Sequence, residues 1–143
     1  MKLSQQLLHQ IHGHLEAGYP NEACGVMLGK AGVITEVVSA DNQRLDSPAS
    51  GGESARNRYL IPPLAYREIE LDADRRGLQV MGFYHSHPDV PARPSQFDLD
   101  NATWPGLSYV IVSVCKGKAV ETNSWLLRED RSAFDQEAVE ISG

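Results

Sequence analysis

The chain has 143 residues, and its 13 Lys and Arg against 19 Asp and Glu give a net charge of −6. This length suits one domain with a hydrophobic core and is short for two, so we predict a single domain over residues 1–143. An acidic chain argues against nucleic-acid binding through a basic face. No apolar run approaches the roughly 20 residues of a membrane-spanning helix, and the N-terminal segment lacks the apolar core of a signal peptide, so we expect no membrane partner.

The two cysteines, Cys24 and Cys115, are far apart in the sequence and resemble neither a metal-binding pair nor a disulfide framework. This usage favours a reduced protein of the cytoplasm. A nucleophilic cysteine would need an activating histidine in contact, so we interpret Cys24 as a small buried apolar residue. We interpret Trp104 and Trp125 as core or strand packing.

Apolar spacing and turn residues divide the first half of the chain into elements. Apolar side chains at helical spacing predict a helix, and short β-branched runs bounded by glycine predict strands. A polar stretch with Ser, Pro and paired Gly predicts a loop. The predicted elements are a helix over 3–17, strands over 23–29 and 32–40, a loop over 41–57 and a short strand over 58–61.

The second half alternates helices and strands in the same way. Two prolines open a helix that runs to about Arg76, and its predicted inward residues are Leu64, Ile69 and Leu71. The tail over 133–142 fits either an edge strand or a frayed helix. The other elements are strands over 78–87, 107–114 and 119–128, an irregular segment over 88–94 and a helix over 95–104. Helices interleaved with strands and hairpins predict an α/β fold with a mixed central sheet between helices.

Two histidines, His85 and His87, end the apolar strand over 78–87. Residues i and i+2 of a strand point to the same face, so the two imidazoles project side by side. Asp98 lies in the first turn of the next predicted helix, and the proline-rich loop between can bring that turn back over the strand end. Two histidines and an aspartate form a donor set that suits zinc with one position left open. We therefore predict one Zn²⁺ per chain, held by these three residues.

A known family signature is present in this region. The segments Gly82-Phe83-Tyr84-His85-Ser86-His87-Pro88 and Ser95-Gln96-Phe97-Asp98 together resemble the H-x-H-P-x(6)-S-x(2)-D motif of the JAMM (MPN+, Mov34/PAD-1) metalloproteases. The family's catalytic glutamate, which lies just ahead of the first core strand, matches Glu22 in Asn21-Glu22-Ala23-Cys24-Gly25. Every motif position is occupied. The segment from Leu99 to Gly106 is short, as in the small prokaryotic members.

The resemblance implies a zinc peptidase or isopeptidase on a three-layer α/β/α, cytidine-deaminase-like (MPN/JAMM) fold. It implies that His85, His87 and Asp98 bind the zinc. It also implies that Glu22 is the general base and that Ser95 supports the tetrahedral intermediate. A carboxylate outside the ligand set can carry a proton from water to the leaving amine, and a hydroxyl can donate to a developing oxyanion. Composition alone does not distinguish Glu22 from the other glutamates, and Ser95 is also a good helix N-cap.

The small prokaryotic members are similar to enzymes that trim the C-terminus of ubiquitin-like sulfur-carrier proteins. The resemblance therefore implies such a carrier, ending in Gly-Gly, as substrate and partner. Its tail would bind as an extended strand, for which the loop over 41–57 is either a flap or a passive connector. Two alternatives stay open: a small peptidase of another pathway, such as phage tail assembly, and a non-catalytic module that binds a ubiquitin-like protein. The sequence does not indicate the oligomeric state.

Overall fold

The fold comes from a computed structural model that describes residues 1–40, 61, 63–102 and 104–143. The predicted loop over 41–57, with its role as a flap or connector, lies outside these residues, as does the predicted strand over 58–61 up to residue 60. The described part of the chain contains three helices and eight strands. They are, in chain order, β1 (Lys2–Ser4), α1 (Gln5–Gly18), β2 (Cys24–Lys30), β3 (Val33–Ala40), α2 (Pro63–Arg75), β4 (Gln79–Pro88), α3 (Gln96–Asn101), β5 (Ser108–Cys115), β6 (Lys118–Leu127), β7 (Phe134–Glu137) and β8 (Glu140–Ser142).

The eight strands form one sheet in the order β7-β6-β5-β4-β2-β3-β1-β8. β4 pairs with β5 in parallel, and β1 pairs in parallel with both β3 and β8. The other neighbouring strands pair antiparallel. The predicted α/β class with a mixed sheet is therefore confirmed, and β4 lies near the middle of that sheet.

Alternate residues of β4 contact two separate apolar clusters, one on each face of the sheet. Tyr84 belongs to the cluster that contains Ile11 of α1. Phe83 belongs to the cluster that contains Ala73 of α2. Successive side chains of a strand point to opposite faces, so α1 covers one face, and α2 and the segment after α3 cover the other. His85 follows Phe83 by two residues and therefore faces the α2 and α3 layer.

The two outermost strands, β7 and β8, are separated by only two residues of chain. So short a link spans at most about 11 Å, which means that the sheet curls until its two edges come together. The backbone N–H of Glu140 donates to the carbonyl of Met1 at 3.0 Å. Glu137 accepts hydrogen bonds from the hydroxyls of Ser108 and Ser124, each at 2.7 Å. The two ends of the chain thus close the sheet against each other.

Two of the sequence-based boundaries are wrong, at the start of α1 and at the end of α3. Leu3 fits the helical spacing, but Ser4 caps α1 by accepting from the backbone N–H of Leu7 at 3.1 Å, so the residues before it pair as β1. The tail, for which an edge strand and a frayed helix were both open, forms two edge strands, so the first alternative is confirmed. α3 ends at Asn101, earlier than the predicted residue 104. In each case a cap or a distant strand partner overrides the local apolar pattern.

The inward face of α2 also differs from the prediction. Ile69 packs in the core cluster as predicted, together with Tyr66 and Ala73. Leu64 and Leu71, in contrast, are 81% and 40% exposed. The inward residues follow the i, i+3, i+7 spacing of one helix face, and that face turns the two leucines outward. Among the described residues, no helix is long and apolar enough to cross a membrane.

Gly82 lies where β4 and β5 approach too closely for a side chain. A Cβ atom there would lie 2.0 Å from the backbone carbonyl oxygen of Ser108. We expect Gly82→Ala to lower the free energy of unfolding by about 1–3 kcal/mol, because the two strands must move apart. A Cβ at Gly13 of α1 meets nothing within 4 Å, so Gly13→Ala is the matched control and should raise stability by up to about 1 kcal/mol. Urea unfolding measures both variants, and a Gly82→Ala variant as stable as the control would contradict the close approach.

Candidate functional site

The carboxyl-terminal half of β4 places both predicted histidine ligands in the layer of α2 and α3. Their exposed fractions are 1% for His85 and 4% for His87. Their Nε2 atoms lie 3.1 Å apart, as the same-face spacing of the two residues predicts. The two rings therefore aim their Nε2 atoms at a common point below the sheet surface.

Asp98, in the first turn of α3, completes the cluster. Its Oδ2 atom is 3.1 Å from Nε2 of His87, and its Oδ1 atom is 3.4 Å from Nε2 of His85. A capping box fixes the carboxylate: the backbone N–H of Ser95 donates to Oδ2 at 2.8 Å, and the backbone N–H of Asp98 donates to the Ser95 hydroxyl at 3.1 Å. The start of α3 thus orients the aspartate toward both rings.

The spacing of the three donors fits a tetrahedral metal site. His85, His87 and Asp98 each offer one ligand atom, and these atoms all lie within 4.8 Å of one another. Donors bound at about 2.0–2.1 Å around a tetrahedral metal are about 3.3–3.4 Å apart. The two Nε2 atoms are 3.1 Å apart, and one oxygen of Asp98 lies at a similar distance from each of them, Oδ2 at 3.1 Å from His87 and Oδ1 at 3.4 Å from His85. Three protein ligands leave a fourth corner for water or substrate, which is typical of a catalytic site.

The electrostatics favour the protonation states that bind a metal. Burial lowers the pKa of His85, so its imidazole is neutral and keeps a lone pair. Burial raises the pKa of the Asp98 carboxyl, but its hydrogen-bonding contacts, of which the backbone N–H of Ser95 needs no charged histidine, outweigh that effect and hold the pKa well below its usual range. A neutral imidazole and an ionised carboxylate are the forms in which these side chains ligate.

A second layer of hydrogen bonds orients His87. Its Nδ1 atom lies 3.0 Å from the carbonyl oxygen of Pro91, so the ring donates its Nδ1–H there and leaves Nε2 for a metal. The neighbouring residue, Ala92, is fully buried and is held from β6. Its N–H donates to Glu121 at 3.0 Å, and its carbonyl accepts from Asn123 at 3.1 Å and from the indole N–H of Trp125 at 3.3 Å. One face of β6 therefore fixes the loop that orients this ring.

We expect Glu121→Ala to weaken Zn²⁺ binding by about 10-fold. The substitution removes the acceptor for the buried N–H of Ala92, so the loop that carries the Pro91 carbonyl shifts away from His87. Glu129→Ala, at an exposed position, removes the same charge and is the control. Competition with a chelator of known affinity measures both variants. Equal zinc affinities would show that the loop needs no support from β6.

The start of β2 brings Glu22 to the same edge of the sheet. Cys24 pairs with His85, and the next step of the ladder is made by the N–H of Ser86, which donates to the carbonyl of Ala23 at 3.0 Å. The hydroxyl of Ser86 in turn accepts from the N–H of Ala23 at 2.9 Å. One further step puts Glu22 opposite His87. Glu22 is 5% exposed, so a buried carboxylate outside the ligand cluster lies just ahead of the neighbouring strand.

Ser95 is the N-cap of α3, which is the structural role that its position allows. Its Oγ atom accepts from the N–H of Asp98 at 3.1 Å. A hydroxyl that accepts one hydrogen bond still has a hydrogen to donate. The capping role therefore leaves a donor next to the metal-binding cluster.

The structure corrects the interpretation of Trp104 as a core residue and agrees with the interpretation of Cys24 as a buried apolar residue. Trp104 is 44% exposed and stacks on Tyr66, so it is not a core residue. Trp125 packs on its strand and also bonds to Ala92. Cys24 is fully buried. The alternation of residues 121, 123 and 125 along a predicted strand places them on one face of β6. The sequence contains no signal that this face contacts residue 92, so its supporting role was not predicted.

Comparisons with known proteins agree with this geometry. The family model of prokaryotic homologues of the JAB domain matches residues 4–128. The probable TtuB-protein conjugate cleaving protease of Thermus thermophilus is 34% identical over 105 residues, which are 73% of this chain and 64% of that relative. The CysO-cysteine peptidase of Mycobacterium tuberculosis is 31% identical over 111 residues, which are 75% of this chain and 68% of the relative.

The chain thus spans a little under two thirds of the length of the first of these relatives. A JAB1/MPN domain protein from Archaeoglobus fulgidus has the same fold, with a TM-score of 0.62 at 21% identity over 100% of this chain and 97% of that structure. The predicted MPN fold is therefore confirmed. The family model covers most of the chain, and its match runs through both β4 and α3. On this evidence the chain belongs to the prokaryotic branch of the JAB domain family.

Proposed function

We propose that the protein is a zinc-dependent peptidase that hydrolyses the bond after the Gly-Gly end of a ubiquitin-like sulfur-carrier protein. One observation carries the proposal. Two imidazole nitrogens and a carboxylate converge at the spacing of a tetrahedral site, while Glu22 lies buried just ahead of β2 and outside the ligand set. An open metal site with a neighbouring carboxylate outside the ligand set is the arrangement that metal-assisted peptide hydrolysis requires.

In this proposal His85, His87 and Asp98 hold one Zn²⁺ per chain. Bound zinc supplies Lewis-acid chemistry, which makes a water molecule nucleophilic near neutral pH. The carbonyl of Pro91 keeps the His87 ring in the ligating tautomer, and the cap of α3 keeps the Asp98 carboxylate aimed at the same point. The chain therefore contributes a rigid three-point cradle and leaves one side of it open for substrate.

Glu22 and Ser95 have two different catalytic roles in this proposal. The Glu22 carboxylate accepts the proton of the attacking water and returns it to the leaving amine. The Ser95 hydroxyl donates to the oxyanion that develops on the scissile carbonyl. Burial favours the role of Glu22, because few water molecules compete for its carboxylate and local charges interact more strongly.

Ser95→Ala is expected to lower kcat by about 10²-fold, in the range found when one oxyanion donor is removed. It should also cost about 1 kcal/mol of stability, because α3 loses its cap. Ser95→Thr keeps both the cap and the hydroxyl and should retain most of the activity. Turnover and urea unfolding separate the two roles: a Ser95→Ala protein with lower stability and unchanged kcat would leave capping as the only role.

The substrate class rests on the family and on the names of two relatives. One relative is named for cleaving TtuB-protein conjugates and the other for a CysO-cysteine substrate. Both names describe the release of a group attached to a protein. The small prokaryotic JAMM pattern of this chain implies a carrier with a Gly-Gly end, and glycines pass through a slot that a Cβ would block.

We also propose a cytoplasmic location. Cys24 and Cys115, which both lie in the described ranges, are in the thiol form. Thiols of this kind are typical of proteins in a reducing compartment.

The test uses a folded carrier that ends in Gly-Gly plus a short extension. Zinc-loaded protein should remove the extension, which intact-mass measurement detects. The folded carrier should be cleaved about 10-fold or more efficiently than its isolated C-terminal peptide, because contacts far from the scissile bond supply the positioning that a glycine tail lacks. Replacing the penultimate carrier glycine by a bulky residue is the control that should block cleavage. Equal kcat/KM for carrier and peptide would favour a general small peptidase instead.

A further inference from the structure

The metal-binding cluster opens into an apolar cavity of about 300 Å³ on the α2 and α3 side of the sheet. His85 and Asp98 form part of its wall, so the cavity begins at the ligands themselves. None of the roles assigned to Glu22, Ser95 or the ligands uses this space. We propose that the cavity binds a large apolar side chain, aromatic or branched aliphatic, on the residue that follows the scissile bond. This inference rests on the proposed function.

Six Phe, Tyr and Trp rings line the cavity, and five of them form a continuous series. Trp104 stacks on Tyr66 with ring centroids 5.9 Å apart, and Tyr66 contacts Phe83 at 5.8 Å. The series continues from Phe83 to Tyr109 at 5.5 Å and from Tyr109 to Phe134 at 5.4 Å. A continuous series of aromatic rings presents a wide apolar surface with few competing polar groups.

The hydroxyl groups of the two tyrosines in this series are hydrogen-bonded to other parts of the chain. The Tyr109 hydroxyl accepts from the backbone N–H of Trp104 at 3.3 Å, and the Tyr66 hydroxyl donates to Glu70 at 3.5 Å. Burial, aided by Glu70, raises the pKa of Tyr66 to about 12, so this wall carries no charge at neutral pH. Away from the two ligands the cavity therefore suits an apolar group and disfavours a charged one.

The size of the cavity limits the occupant. An apolar protein cavity of about 150 Å³ accommodates benzene. A space of 300 Å³ is thus large enough for a phenyl, indole or leucyl side chain. If only water fills the cavity, its apolar walls stay hydrated, which is unfavourable. An apolar side chain that enters the cavity displaces this water and removes the unfavourable hydration.

The position of the cavity selects the leaving-group side. A substrate with Gly-Gly before the scissile bond has no side chain at the two positions nearest the metal. The third residue on that side lies about 10 Å back along an extended chain. Because the cavity begins at His85 and Asp98, the first side chain that can enter it belongs to the residue after the bond.

The test varies that residue. Four forms of one carrier carry Gly, Asp, Leu or Phe directly after Gly-Gly, and the release of this residue is followed by intact mass. We expect kcat/KM for Leu and Phe to exceed that for Gly by about 10-fold to 100-fold, since one side chain is buried, and Asp to be no better than Gly. Equal kcat/KM for all four substrates would overturn the inference.

Variants of the cavity wall test whether the preference for an apolar residue arises in the cavity. Trp104→Ala should reduce the Phe-to-Gly ratio of kcat/KM, because it removes one wall, and Trp104→Phe should keep most of the ratio. Val120→Ala, at a 63% exposed site on β6, is the control and should leave the ratio unchanged. A ratio that survives in Trp104→Ala would assign the preference to another surface.

A binding experiment separates this inference from the proposed function. Phenylalaninamide and glycinamide are titrated into the zinc-loaded protein while NMR follows the indole N–H signals. Phenylalaninamide should shift the signal of Trp104 more than that of Trp125, and glycinamide should shift neither. If no carrier is cleaved but this pattern is seen, the proposed function fails and the pocket stands. If carriers are cleaved but the pattern is absent and all extensions react alike, the function stands and the pocket is refuted.

Discussion

Glu22→Gln is expected to lower kcat by about 10²- to 10⁴-fold while the fold and the zinc content stay unchanged. Glutamine has nearly the same shape as glutamate but cannot accept a proton from water. Glu22 lies just ahead of β2, the strand next to β4, and outside the ligand cluster, which is the reason that metal binding should survive. Turnover of a working carrier substrate and the zinc content of the purified variant are the two measurements.

Glu68→Gln, on the exposed side of α2, is the matched control and should keep full activity. A Glu22→Gln protein with wild-type turnover would show that another group carries the proton. A variant that loses both turnover and zinc would instead make Glu22 part of the metal site. The outcomes therefore distinguish a base from a ligand.

The double variant His85→Ala, His87→Ala is expected to lose its zinc, from close to one equivalent per chain to nearly none. Removal of two of three protein donors leaves only Asp98, which cannot hold the ion alone. Activity should fall to background at the same time. Metal analysis of the purified proteins gives the stoichiometry, and His9→Ala, at an exposed position of α1, is the control.

Zinc should also stabilise the wild-type protein and leave the double variant unchanged. At a free zinc concentration about 100 times the Kd, binding adds about 2.7 kcal/mol, which corresponds to a rise in Tm of about 5–10 °C for a domain of this size. A wild-type Tm that does not respond to zinc, or an equal rise in the double variant, would contradict binding at this cluster. This readout requires no substrate.

The part of the site that could be predicted consists of residues that lie at short, regular spacings in the sequence. His85 and His87 follow the two-residue period of a strand, and Asp98 follows a cap in the first turn of a helix. Glu22 had no such signal. Its selection among the glutamates depended on the family resemblance, and the register of β2 against β4 explains why that position reaches the site.

The features that could not be predicted depend on contacts between distant parts of the chain. β1 and β8 pair with each other across nearly the whole sequence, and such a partner leaves no local pattern. Likewise, the carbonyl of Pro91 orients His87 through a backbone atom, which no residue type reveals. The aromatic cavity is assembled from rings between Tyr66 and Phe134 that share no spacing. The prediction of a single domain over residues 1–143 stays a prediction.

The central claim is that one zinc ion, held by His85, His87 and Asp98, drives peptide hydrolysis at a carrier's Gly-Gly end. The most direct measurement is a zinc titration of the chelator-treated protein, with cleavage of the extended carrier followed by intact mass. We predict no cleavage without zinc, a linear rise as zinc is added, and saturation at one equivalent per chain. Cleavage in the presence of excess chelator would contradict the claim. An extended carrier that stays intact at every zinc concentration would also contradict it.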